Sequence, residues 1–231
     1  MAGKRIVVAI DGPAGAGKST IAKRVAEKLG YIYINTGAMY RAIALWALRL
    51  GTDLTDMHRL EQLAKEARIE LPPGENRVLL NGEDVTQVIR EPQVSQAASK
   101  VSAVPGVRRA LLGLQRSIAE ENNVVMEGRD IGSVVFPGAQ VKIFLDADAR
   151  ERTRRRAHEL KQTGTVGIDP AQVADELRTR DERDRRRVES PLVQAPDAQL
   201  VDTTGLTLDQ VEEAILKIVR SRLSNGKAAG Q

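Results

Sequence analysis

The 231-residue chain contains no cysteine, which excludes a disulfide framework and a thiolate metal site. Such a composition fits a reducing compartment. No apolar run approaches the roughly 18–20 residues that a membrane span needs. The opening "MAGKRIVVAIDG" carries two basic residues and only a short apolar run before Asp11, the pattern of a strand and not of a signal peptide. A cytoplasmic protein with no membrane partner is the expectation. No internal repeat is present. Two short signatures are also missing. There is no Asn-Lys-x-Asp run of the kind a guanine switch would carry, and no apolar strand ends in Asp-Glu as in a nucleic-acid motor; the Asp-Glu of "DERD" (181–184) sits in a charged helical stretch.

What is present is a chain with 42% hydrophobic residues, enough for a substantial core in one domain with insertions. The formal charge of +4 is unevenly placed: residues 150–187 hold twelve Lys/Arg and eight Asp/Glu, so the other 193 residues balance at zero. Such a mixed segment reads either as a solvated pair of salt-bridged helices or as a basic cover over something anionic. Nucleic acid is not the expected partner, since the excess is not spread along a face or tail.

Apolar runs at 5–10, 31–35, 123–128, 141–146 and 198–203 read as strands, and helical periodicity falls between them. The helix after residue 35 has Thr36 as its expected cap. The last helix opens on a Thr207–Gln210 capping box, and the tail 224–231 is expected to be disordered. Strands alternating with helices predict a three-layer α/β fold on a parallel sheet. The stretch "RIELPPGENRVLLNGEDVTQVIR" breaks that rhythm with a Pro-Pro-Gly interruption and an Asn-Gly pair suited to a tight hairpin. The expected division is a core of residues 1–64, 106–149 and 188–223, with insertions at 65–105 and 150–187.

The segment "GPAGAGKST" (12–20) matches Gly-x-x-x-x-Gly-Lys-[Ser/Thr] through Gly12, Gly17, Lys18 and Ser19, between a strand and a helix. Small residues let consecutive N–H groups curl round a phosphate, and the following helix adds the positive end of its dipole. The loop comprises Gly12, Pro13, Ala14, Gly15, Ala16, Gly17, Lys18, Ser19 and Thr20. Lys18 would reach the β- and γ-phosphates, and the Ser19 hydroxyl would serve Mg²⁺. By itself the loop leaves open a kinase of a small acceptor, a nucleotide switch or a motor. A kinase needs a second anion site, and arginines supply a candidate. Arg41 in "NTGAMYR" and Arg129 in "EGRDIG" each follow a strand end, where open α/β sheets bind ligands. In "RDERDRRR", helical spacing aligns Val173, Leu177, Arg180, Asp184 and Arg187 on one stripe that begins apolar and becomes charged. A ladder of exposed ion pairs is the plain alternative.

Over about residues 5–220 the chain resembles the bacterial cytidylate kinases, nucleoside monophosphate kinases of the P-loop class. The resemblance rests on "IDGPAGAGKST", "NTGAMYRA", "LNGEDVTQVIR", "QAASKVSAVPGVRRALLGLQR", "MEGRDIGSVVFPGAQVKIFLDA" and "RDERDRRRVESPL". It implies an ATP-dependent enzyme that makes CDP or dCDP from CMP or dCMP, within pyrimidine nucleotide metabolism. UMP or a non-nucleotide acceptor is the alternative. Segment 65–105 would be a monophosphate-binding insertion and 150–187 a lid. The implied roles are ATP-phosphate contact for Gly12 through Thr20, grip on the CMP phosphate for Arg41, Arg129 and Arg187, base reading for Ser99, Arg108 and Asp130, and ribose contact for Arg180 and Asp184. Thr36 and Tyr40 would stand beside the nucleoside, with Lys18, Arg129 and Arg187 catalytic. Arginines among Arg150 to Arg156 would close over ATP, and Glu127 is a candidate carboxylate near the metal. A monomer is expected.

Overall fold

The computed structural model describes residues 5–72, 75–162, 164 and 166–228. Its centre is strand β1 (Val7–Asp11), buried along its whole length. β1 pairs in parallel with β6 (Val124–Glu127) on one side and β7 (Val141–Asp146) on the other. β2 (Ile32–Asn35) adds beyond β6, and β8 (Gln199–Asp202) beyond β7, giving the order β2-β6-β1-β7-β8. Both faces of this parallel sheet are covered, so β1 shows no polar alternation. Val8 and Ile10 pack on helices α1 (Lys18–Leu29) and α8 (Leu208–Ala228). Val7 and Ala9 belong to the opposite layer, built by α2 (Thr36–Arg49), α3 (Met57–Glu66), α4 (Pro92–Val101) and α5 (Pro105–Glu121). The expected three-layer α/β architecture is therefore the one observed.

The small sheet is antiparallel: β3 (Ile69–Glu70), β4 (Leu79–Leu80) and β5 (Glu83–Asp84). The Asn-Gly pair makes its turn with both residues at positive φ, 53° and 86°, the conformation a two-residue hairpin requires. Its apolar face is not a separate core. Ile69, Val78, Leu80 and Val85 join the same cluster as Met39, Ile43 and Leu60, and Trp46 of α2 packs against that cluster half-buried. The charged segment forms α6 (Ala149–Gln162) and α7 (Pro170–Arg186).

Two local expectations change, and one turn had no expectation attached. Asn35, not Thr36, caps α2 by accepting from the Ala38 N–H at 3.1 Å; the Thr36 hydroxyl instead donates to the Glu127 carbonyl at 2.8 Å. The chain after β6 folds into a π-helical turn (Ile131–Val135). And α8 continues to Ala228, where a disordered tail was expected from 224, because extending a helix needs no new nucleus; residues 229–231 of that tail lie outside the described residues. The capping box that starts α8 is present, with Thr207 N–H bonded to Gln210 and Gln210 N–H to Thr207.

Candidate active site

β1, β2 and β6 all end at one edge of the sheet, and a cleft of about 960 Å³ opens there. The loop from β1 to α1 forms one wall. Gly12 must be glycine: its φ is +149°, and a Cβ would lie 1.9 Å from the Leu145 carbonyl oxygen. Gly12 and Pro13 form the back of the loop, while Ala14 through Thr20 line the cleft. Lys18 is the first residue of α1, buried, with its Nζ donating to the Pro13 carbonyl at 2.6 Å. Burial, followed by the nearby Arg129 charge, lowers its ammonium to about 7. Among the described residues the hydrogen bond of Lys18 goes to a neutral carbonyl, with Glu127 and Asp11 acting on it through charge, so the ammonium has capacity for an anion.

The rest of the lining is rich in arginine. Arg41 comes from α2, Arg129 from the end of β6, and Arg180 and Arg187 from α7 and its end; all four line the cleft. Burial weakens the hold of Arg41 on its proton and, with Arg129 beside it, brings Arg180 down to about 10. The Nε groups of Arg41 and Arg180, and Nε and Nη2 of Arg187, are buried without a hydrogen-bond partner among the described residues. Buried donors in that state are costly unless a ligand meets them. Asp184 stands among them, and Glu127 and Glu159 act on Arg41. Burial alone would raise Asp184, but Arg129, Arg187 and Arg180 outweigh it and hold it below the usual range. Asp184 accepts from Arg129 Nε at 3.0 Å, with Arg187 at 3.6 Å. No Arg180–Asp184 ladder pair forms among the described contacts; the apolar half of the stripe, Val173 and Leu177, is buried and the charged half enters the cleft.

At the far end, Arg108 forms a buried ion pair with Asp130 and lies 5.2 Å from the Tyr40 ring centre. Tyr40, Arg108, Asp130 and Thr36 line the cleft together. Ser99 is not among its lining residues. It is buried in α4 and accepts a hydrogen bond from Arg183 of α7. Arg183 had no assigned role; two residues 84 positions apart leave no mark in local spacing. Asp11 was also missed. Its carboxylate accepts from the Ile131 and Gly132 N–H groups at 2.8 and 2.7 Å, and burial raises it to about 6. It thereby fixes the backbone next to Asp130.

Among the arginines of α6, Arg154, Arg155 and Arg156 line the cleft. Arg155 reaches the Ala16 carbonyl at 3.3 Å and Thr203 Oγ1 at 2.8 Å, which places it over the loop. For a metal, the described residues offer no cluster of three or more His, Cys, Asp or Glu. The exposed Ser19 hydroxyl and the nearby Glu127, which accepts from Tyr33 Oη at 2.7 Å, fit a Mg²⁺ that keeps its waters and rests mainly on nucleotide phosphates. No helix among the described residues is long and apolar enough to cross a membrane.

A glycine-built phosphate loop facing an arginine-lined second anion site on a parallel α/β sheet defines a kinase of the P-loop class. The family profile described as cytidylate kinase matches residues 8–221. A cytidylate kinase of Solibacter usitatus is 62% identical over 225 residues, covering 97% of this chain and 96% of that protein. Another, from Symbiobacterium thermophilum, is 51% identical over 94% of this chain and 97% of its own. The chain belongs to the cytidylate kinase family. Among solved structures, a gluconokinase from Sinorhizobium meliloti shares the fold with a TM-score of 0.50 at 17% identity, over 97% of each chain. An uncharacterized protein from Eubacterium ventriosum reaches 0.53 at 14% identity, over 94% of this chain and 99% of its own.

Proposed function

We propose that the chain transfers the γ-phosphoryl group of ATP to CMP or dCMP, releasing ADP and CDP or dCDP. The observation that carries this reading is the convergence of Arg41, Arg129, Arg180 and Arg187 on the same cleft that the Lys18 loop lines. Two anions must be held against each other, and the loop and the arginines supply a cationic site for each.

A phosphate oxygen of the acceptor attacks the γ-phosphorus while the bond to the β–γ bridging oxygen breaks. The attacking phosphate oxygen is already ionised, so no general base is needed; the bridging oxygen leaves with ADP, and catalysis consists of positioning and charge stabilisation. Lys18 and the loop N–H groups hold the donor's phosphates. Arg41, Arg129 and Arg187 orient the acceptor phosphate, and Arg180 and Asp184 hold the ribose. Arg108 and Asp130 face the base. Mg²⁺, when bound with the nucleotide, would neutralise phosphate charge, with Ser19 as its ligand and Glu127 beside its waters. Arg154, Arg155 and Arg156 cover the loop and limit access of water to the reacting phosphate, as a lid should. Segment 65–105 serves as the acceptor-binding insertion. The arrangement works as a monomer, without nucleic acid.

The test is an assay of ADP release from ATP across CMP, dCMP, UMP, AMP and GMP. Turnover with CMP and dCMP well above the others is the expected result. Turnover stimulated by DNA or RNA, but by no monophosphate, would overturn the reading.

A further inference from the structure

One buried ion pair lies behind the phosphate loop and has no part in the chemistry above. Asp181 follows Arg180 on α7, about 100° further round the helix. Its side chain is 2% exposed. Oδ1 accepts from the Ala14 N–H at 3.2 Å, and Oδ2 accepts from Arg152 Nη1 on α6. The same Nη1 donates to the Ala14 carbonyl at 3.1 Å, and Arg152 Nε donates to the Ala147 carbonyl at 3.1 Å. Both backbone polar groups of Ala14 are thus held by the charged segment, one helix each. Packing is equally close: a Cβ on Gly15 would lie 3.0 Å from the Arg152 carbonyl oxygen. The Ala14 methyl sits in a small cluster with Leu160, Val173 and Leu177.

We propose that Arg152 and Asp181 are positioning residues for the donor nucleotide, which set the shape of the phosphate loop at Ala14–Gly15 while touching neither substrate. This rests on the loop holding ATP. Loop N–H groups serve a phosphate only if they point to a common centre before it arrives, and a loop of glycines and alanines has little side-chain packing to keep them there. The pair supplies that restraint from outside. A buried carboxylate that bonds a loop N–H and a fork-shaped guanidinium that bonds the adjacent carbonyl fix one peptide orientation on each side of Ala14.

Asp181→Asn tests this in the full chain, because the amide oxygen can still accept from Ala14 while its NH₂ meets the Arg152 donors. Calorimetric titration gives the affinity for ATP alone and for CMP alone; KM, kcat and Tm are measured beside it. ATP affinity should fall about tenfold or more, the scale of losing a hydrogen bond to a charged group. CMP affinity should stay within about twofold, because the charges that bind it are untouched. Arg152→Lys, which keeps the cation but not the fork, should show the same split to a smaller degree. A fastening role alone would lower Tm and leave both affinities as they are. That result, or parallel loss of ATP and CMP binding, would overturn the proposal. If Asp181→Asn fails to fold, Arg152→Lys decides by the same criterion. Turnover of CMP by the unaltered chain is a separate readout: a chain that binds ATP but leaves CMP unphosphorylated would sink the proposed function and leave this measurement standing.

Discussion

A single proton on Lys18 has measurable consequences. With its ammonium lowered to about 7 by burial and then by Arg129, the side chain is protonated below that pH and largely neutral above it. Bound ATP phosphates favour the charged form. Binding at about pH 8 should therefore take up close to one proton and binding at about pH 6 almost none, with ATP affinity declining as pH rises through 7. Titration calorimetry in two buffers of different ionisation enthalpy reads this directly, and Lys18→Ala should abolish the uptake while keeping the fold. Asp130 carries a second prediction. Its carboxylate is paired with Arg108 and lines the cleft, where the proposed function puts the base. It can accept from the cytosine amine, whereas uracil presents a carbonyl there, and each buried group left unpaired costs about 1–3 kcal/mol. CMP should be strongly preferred over UMP in kcat/KM. Asp130→Ala should narrow the ratio mainly by losing CMP activity; an unchanged ratio would remove Asp130 from base reading.

The glycines separate two kinds of requirement at the level of the strand–loop–helix elements. Gly12→Ala places a Cβ 1.9 Å from a β7 carbonyl at a φ of +149°, so backbone must move. Strain of about 1–3 kcal/mol and overpacking of similar size predict a Tm loss of roughly 5–15 °C. Gly113 lies exposed within α5 with nothing within 4 Å of its Cβ position, so Gly113→Ala should stabilise by up to about 1 kcal/mol. Thermal melts of the two variants check both signs. The same scale shows what could be read in advance. The loop between a buried strand and a helix, the Asn-Gly hairpin and the final capping box are local patterns, and each was legible because its physics acts within a few residues. The turn from apolar to charged along α7 was legible by the same helical spacing. The partner of Ser99 was not, nor were the two N–H groups held by Asp11 across 120 residues. The Arg152–Asp181 pair hid in a charge run because a solvated helix face has the same composition. Asn35 and Thr36 are adjacent capping types, and which one caps was decided by the Glu127 carbonyl, a contact from another strand.

Over the whole molecule the charge excess of residues 150–187 belongs to the segment that overhangs the cleft, since Arg154, Arg155, Arg156, Arg180 and Arg187 all line it. Both substrates are anions, so the field should draw them in. Exposed arginines are screened as the Debye length falls from about 8 Å near physiological salt to about 3 Å at molar salt, whereas the buried ones are screened far less. Added KCl should therefore raise KM for ATP and CMP several-fold with little change in kcat; a fall confined to kcat would contradict this division. The two insertions are joined to the core differently: α6 and α7 through the loop itself, the small sheet through the apolar cluster beneath α2. In that cluster sits the sole tryptophan of the chain, Trp46, half-buried five residues beyond Arg41 on the same helix. With one indole, emission has one origin. A shift in wavelength or intensity on adding CMP would report the packing of the small sheet against α2, and stopped-flow mixing would time it without any attached dye.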